Sequence, residues 1–211
     1  MKKQRPRAWG KFDTEKYIYK KDLTSWKTKN WISHCWHFRH EPTKMLEAGV
    51  YDGLTSIWFL DNVLVHPQSQ WLGVDKRFHN SRENLKAAEI PESKIKFRKG
   101  QLEEILPELE RNKETFDIIY WDATKKTDEI EPLLEQCWKL LELFGLLIID
   151  DYGWTAKKSI ELGNRSQISG VAEDQHHLYN PKEAIDRFLQ RHKGSYDLFH
   201  KKFQVILAKT V

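Results

Sequence analysis

Residues 46–53 read LEAGVYDG, which sets a carboxylate, Glu47, beside two glycines, Gly49 and Gly53. Glycines in a strand-to-helix turn let a ligand approach backbone N–H groups with no Cβ in the way. The G-x-x-x-G spacing is not the G-x-G-x-x-G dinucleotide fingerprint, and Glu47 would repel a pyrophosphate. A carboxylate there suits a ligand with a cationic amine and a sulfonium, the chemistry of S-adenosylmethionine. Tyr51 and Thr55 belong to the same candidate cofactor loop. A plain tight turn is the alternative. About 25 residues further on, WLGVD ends in Asp75, where an acidic residue can accept both ribose hydroxyls or simply cap a helix. Gly100 and Gln101 follow a third short run and are placed to meet an adenine edge, through the side chain or a backbone N–H.

Three further carboxylates lie at the ends of two apolar runs: Asp122 after FDIIYW, and Asp150 with Asp151 after LLII. Brought together in a low-dielectric cleft they would repel one another strongly. A hard divalent cation such as Mg²⁺ would relieve that repulsion, because it prefers carboxylate oxygens and water. Alternatively, Asp122 hydrogen-bonds the cofactor amine and Asp150 caps the following loop. His176, beside His177 in a polar segment, is a candidate base near neutral pH.

These residues need an α/β scaffold to converge. From Thr43 the chain alternates β-rich and amphipathic runs, as a parallel sheet requires. Strands are expected at Lys44–Ala48, Gln70–Asp75, Lys94–Arg98, Phe116–Trp121 and Leu146–Ile149, with helices at Leu54–Val65, Ser81–Ile90, Leu102–Arg111 and Asp128–Leu143 between them. Pro181 suits a helix start before Lys182–His192, and Tyr196–His200 with Phe203–Ala208 reads as an antiparallel pair. A helix over Leu23–His40 would carry Trp26, Trp31 and Trp36, either as core or as a stack for a flat acceptor. Residues 153–180 lack a period and are expected to form an acceptor-site lid. The expected division is a basic arm at 1–22 and one domain at 23–211.

Composition narrows the class. Cys35 and Cys137 are the only cysteines, which excludes a disulfide framework and a Cys-rich zinc site and fits a reducing, cytoplasmic setting. No apolar run approaches the roughly 20 residues of a membrane span, and the basic start reads as no secretory signal. The first 30 residues carry ten Lys and Arg against three acidic groups, a net +7 that leaves −3 for the rest of a chain totalling +4. Such an arm is either a solubilising terminus or a phosphate-binding feature.

With these motifs in order, the sequence resembles class I S-adenosylmethionine-dependent methyltransferases. The likeness is greatest to bacterial members with LEIGSFEG-like, FDFIYIDGSH-like and IFDDY-like motifs, which here read LEAGVYDG, FDIIYWDATK and IIDDYGW. PKEAIDRFL and FQVILAK are similar to that family's last helix and strand. The resemblance implies a Rossmann-like, seven-stranded, mostly parallel sheet with an antiparallel last strand and helices on both faces. Similarity to catechol O-methyltransferase and related cation-dependent enzymes implies that Asp122, Asp150 and Asp151 bind Mg²⁺ and that Lys125 deprotonates an acceptor hydroxyl. Asp151 stands where those enzymes have Asn, and the added charge would weaken the cation's Lewis acidity; Lys126 is a second candidate amine. The expected activity is O-methylation of a small-molecule hydroxyl, with a homodimer left open. Nucleic-acid methylation is disfavoured, because WDAT replaces an [N/D]-P-P-[Y/F] motif and neither cysteine follows a proline. A non-catalytic S-adenosylmethionine-binding module remains a rival, since fold does not fix chemistry.

Overall fold

The computed structural model describes residues 12–161 and 170–211. Residues 1–11 of the expected arm and 162–169 of the expected lid lie outside the described residues.

Seven strands form one sheet: β1 (Lys44–Ala48), β2 (Gln70–Asp75), β3 (Ile95–Lys99), β4 (Phe116–Trp121), β5 (Leu141–Ile149), β6 (Tyr196–Lys201) and β7 (Val205–Lys209). Their order is β3-β2-β1-β4-β5-β7-β6. Strands β1 to β5 run parallel to one another, whereas β7 runs antiparallel to both β5 and β6. Strand order reverses between β1 and β4, and open α/β sheets bind ligands at such a switch point, beyond the strands' carboxyl ends.

Alternation along the central strands sorts side chains between two cores. On one face Leu46, Ala48, Ile119, Trp121, Leu147 and Ile149 pack under α4 (Leu102–Arg111), α5 (Thr127–Leu140) and α7 (Pro181–Arg191). On the other, Met45, Ile118, Tyr120, Leu146 and Ile148 pack under α1 (Thr28–Cys35), α2 (Leu54–Asn62) and α3 (Ser81–Ala87). Being covered on both sides, FDIIYW reads as a nearly continuous apolar run. A short α6 (Ala156–Glu161) follows β5 and belongs to a small third cluster built on Trp154 and Ala156, with Tyr179 and Phe203 against it.

Helices α2, α3 and α5 each end three residues before the expected Val65, Ile90 and Leu143, and three departures are larger. The helix expected over Leu23–His40 is shorter: α1 covers Thr28–Cys35, and a 3₁₀ turn takes Trp36–His40. Strand β5 starts at Leu141, five residues early, because Phe144 (φ +63°) lets the chain kink and still pair with β4. The arm does not end at residue 22. Tyr17 is 6% exposed and packs in the second core with Phe12 and Tyr19 beside it. Asn84 of α3 clamps this segment by accepting the Ile18 N–H at 2.7 Å and donating to the Ile18 carbonyl at 2.9 Å. Residues from Phe12 onward are therefore part of the domain.

Candidate functional site

Four backbone hydrogen bonds carry the sheet ladder beyond its strands. The N–H groups of Gly100, Gly49, Asp122 and Asp150 donate to the carbonyls of Asp75, Val74, Ala48 and Trp121, at 3.1, 2.9, 2.8 and 2.9 Å. The sequence-identified motifs thereby line up along one carboxyl edge.

The glycine turn is built differently from the ligand-clearance reading. Gly49 has φ +90°, and a Cβ there would lie 2.1 Å from the Asp122 carbonyl oxygen. Gly53 has φ +78°, and its Cβ would meet that of Ser81 at 2.9 Å. Both glycines are required because the chain packs against itself. Asp75 fastens the turn: its Oδ2 accepts the N–H of Val50 at 2.7 Å and of Tyr51 at 3.0 Å, while Oδ1 accepts Arg77 N–H at 2.9 Å. The Tyr51 ring is exposed and lies 4.8 Å from that of His79. Thr55 faces inward, its hydroxyl 3.1 Å from that of Thr24. Gln101 is exposed at the start of α4, with Gly100 before it.

Glu47 is fully buried. Trp71 Nε1 donates to its Oε2 at 2.7 Å, and Oε1 finds no hydrogen-bond partner among the described residues. Burial pushes the carboxyl up to about 8, against the pull of Ser56 and Trp71. An unpartnered carboxylate oxygen in a dry site favours a cation beside it.

Asp122, Asp150 and Asp151 meet lysines at the ends of β4 and β5. Lys27, just before α1, is buried, and its ammonium pairs with Asp150 Oδ2 and donates to the Tyr120 hydroxyl at 3.1 Å. The Tyr120 hydroxyl in turn donates to Asp150 Oδ2 and lies 3.5 Å from Gln204 Nε2; Gln204 Oε1 accepts from Trp31 Nε1 at 3.0 Å. Lys125 pairs with Asp151 Oδ2 and reaches Asp122 Oδ1 at 3.5 Å, under the Trp154 ring at 5.8 Å. Asp150 Oδ1 accepts the Asp151 N–H at 2.8 Å, so the two ion pairs share a brace. Burial opposes the charge on Lys27, but Asp150 and Asp122 outweigh it and hold the ammonium protonated. Lys125 is likewise raised, by Asp151 and Asp122 against burial. Burial drives Asp122 upward; Lys125 opposes this, and the neighbouring Asp151 and Asp150 add to it.

Lys126 turns instead to the first turn of α5, pairing with Asp128 at 3.1 Å and Glu129 at 3.4 Å. The segment carrying His176 is anchored close by, since the Thr127 hydroxyl donates to the Leu178 carbonyl at 2.8 Å. No hydrogen bond joins the His176 ring to the carboxylates among the described residues; His177 Nδ1 lies 2.6 Å from the Asp174 carbonyl.

The methyltransferase-domain family profile matches residues 46–152, from the glycine turn to the end of the carboxylate cluster. The chain belongs to this family. No curated protein matches this methyltransferase. Among solved structures it is similar to the O-methyltransferase TomG of Streptomyces achromogenes in complex with SAM, at 16% identity, over 90% of this chain and 82% of that one, with TM-score 0.64. The O-methyltransferase of Bacillus cereus in complex with SAH gives 17%, 94%, 86% and 0.63. MycE of the mycinamycin biosynthetic pathway, in complex with Mg and SAH, gives 15%, 93%, 53% and 0.61. At these identities the likeness is one of fold. Among the described residues, no helix of the methyltransferase is long and apolar enough to cross a membrane.

Lys27, Tyr120 and Gln204 were absent from the sequence-based site. Lys27 sits among nine other basic residues of the first 30, and only the neighbouring tryptophans hint that it is buried.

Proposed function

We propose that this methyltransferase transfers a methyl group from S-adenosylmethionine to a hydroxyl of a small molecule. The observation that carries the reading is the charge of the site. With all five groups ionised, three carboxylates and two ammonium groups leave one net negative charge, opposite to the single net positive charge of S-adenosylmethionine, which favours the ionised form of Asp122 when it binds. The unpartnered Glu47 oxygen adds to that preference.

In this reading Glu47 and Asp122 face the cationic amine and sulfonium, the turn containing Gly49, Tyr51, Gly53 and Thr55 lies along the cofactor, and Asp75 takes the ribose with lone pairs its backbone partners leave free. Gly100 and Gln101 lie beside the adenine. Bound there, S-adenosylmethionine supplies an electrophilic methyl carbon. The chain's task is to hold an acceptor oxygen in line with it, which lowers the entropic part of the barrier.

The acceptor wall is aromatic. Trp26 is 54% exposed and packs edge-on against Phe203 at 5.0 Å, and Phe203 packs with Trp154, beneath which Lys125 lies. A flat acceptor would stack here, with its hydroxyl beside the Lys125 ammonium and the Asp122 carboxylate. Lys125 stabilises the oxygen as it loses its proton; being paired with two carboxylates, it is a better electrostatic partner than a base. The proton passes to Asp122, whose raised affinity suits it.

Isothermal titration with S-adenosylmethionine, followed by assay of methyl transfer to phenolic and catecholic acceptors, tests this. Binding with turnover supports it. Binding with no turnover on any hydroxyl acceptor would leave the non-catalytic module.

A further inference from the structure

The carboxylates expected to hold Mg²⁺ are already engaged by the chain's own cations. Asp150 Oδ2 accepts both Lys27 Nζ and the Tyr120 hydroxyl, and Oδ1 accepts the Asp151 N–H. The Lys27 and Asp150 side chains are 4% and 1% exposed, so water does not compete for that pair. Asp151 and Asp122 share the Lys125 ammonium. A divalent ion placed among these oxygens would lie against two ammonium groups. To complete its octahedral oxygen shell it would have to displace them. Among the described residues, no three carboxylate, imidazole or thiol side chains are grouped to hold a metal.

We propose that Lys27 and Lys125 supply the positive charge that a divalent cation would otherwise bring to the ends of β4 and β5, so that methyl transfer proceeds without one. Charge balance agrees. The site's single net negative charge is neutralised by S-adenosylmethionine alone, whereas an added Mg²⁺ would leave two uncompensated positive charges in a cleft of low dielectric. Lys27 touches no reacting atom. It is a positioning residue: it fixes Asp150, which holds the Asp151 backbone and through it the Lys125–Asp122 contact. The methyl-transfer part of this inference rests on the proposed function; the exclusion of the cation does not.

Mn²⁺ titrated into the full chain and followed by the electron paramagnetic resonance of the free ion is the decisive measurement. The wild-type chain is expected to bind no Mn²⁺ tighter than about 1 mM. Lys27→Ala, which uncovers Asp150, is expected to gain at least about tenfold in Mn²⁺ affinity. If that variant does not fold, Lys125→Ala at the more exposed pair reports the same gain at Asp122 and Asp151. Wild-type turnover is expected to stay within about twofold in excess EDTA. Micromolar Mn²⁺ binding by the wild-type chain, abolished in Asp151→Asn, would overturn the proposal. So would folded Lys27→Ala and Lys125→Ala proteins that gain no affinity, because the lysines would then not be what keeps the ion out. Should calorimetry find no S-adenosylmethionine binding, the proposed function fails while the Mn²⁺ result still decides the role of the lysines.

Discussion

Asp75 accepts the backbone N–H of Tyr51 at 3.0 Å and so holds that residue in the left-handed region, at φ +52°. A non-glycine residue there costs about 1–2 kcal/mol, and hydrogen bonds to a carboxylate contribute about 1.5–3 kcal/mol. The strand-end carboxylate is thus part of the turn's construction as well as the proposed ribose acceptor. The structure predicts that Asp75→Ala loses about 1–3 kcal/mol of stability. Chemical denaturation measures that loss. A paired weakening of cofactor binding beyond about tenfold is expected in calorimetry. Unchanged affinity in a destabilised variant would confine Asp75 to the turn.

Glu47 makes the protein's stability depend on pH in a defined direction. Its folded-state pKa, about 8, lies above the ordinary 4.5 of a glutamate because burial disfavours the ion. A folded state that holds the proton more tightly gains stability below the unfolded pKa, and that gain disappears as pH rises through the folded one. The melting temperature of the ligand-free chain is therefore expected to fall between about pH 5 and 8 from this group. Glu47→Gln, neutral throughout, should flatten that part of the profile. S-adenosylmethionine, bringing positive charge, should release up to about one proton on binding in the same window. Calorimetry in buffers of different ionisation enthalpy reads the proton directly, and a null result would place the amine away from Glu47.

Much of the carboxyl edge was legible because a parallel sheet puts strand-end residues side by side whatever their distance in sequence. Asp75, Asp122 and Asp150 each follow an apolar run, and the runs named the strands. What remained hidden was what those carboxylates meet. Lys27 reaches Asp150 across 123 positions, a pairing no local pattern encodes, and it changes a repelling cluster into two ion pairs. Trp31 and Trp26 were likewise indistinguishable by spacing, because a helix shortened to Thr28–Cys35 leaves Trp26 outside the periodic stripe. The first 22 residues as a whole read as too basic for core, although Tyr17, with Phe12 and Tyr19 beside it, packs in the second core.

Truncation tests the place of that amino-terminal segment. A chain lacking residues 1–11 is the reference for this test. Deleting residues 1–21 removes Tyr17 and the Ile18 clamp on Asn84. Tyr17→Ala alone is expected to cost about 3–5 kcal/mol, as for other buried aromatic side chains. Equal melting temperatures for the two truncations would mean that the segment does not pack in solution.

Gly49 offers a sharper test of how the turn and the cluster are joined. A methyl group at this position would overlap the Asp122 carbonyl, and the backbone at φ +90° is unfavourable for an L side chain. Gly49→Ala should therefore destabilise the chain by more than the ~1 kcal/mol of a conformational penalty alone. It should also shift Asp122 from its place beside Lys125. Folded Gly49→Ala protein with wild-type cofactor affinity would show that the turn tolerates separation from β4.

The two tryptophans near Lys27 divide structure from function most cleanly. Trp31 is 0% exposed, stacks 5.0 Å from Phe59 and donates to Gln204 at 3.0 Å; its removal leaves a cavity and an unpaired amide. Trp31→Ala is expected to lose about 3–5 kcal/mol, with activity following the folded fraction. Trp26 has Phe203 on one side and solvent on the other. Trp26→Ala should leave folding and S-adenosylmethionine affinity close to wild type and raise the acceptor KM by about tenfold, the loss of one good aromatic contact. Trp26→Phe should recover most of it. Steady-state kinetics against an aromatic hydroxyl acceptor separates the outcomes: a fall in kcat with KM unchanged would assign Trp26 to closure over the site, and no change in either would move the acceptor wall away from Trp26 and Phe203.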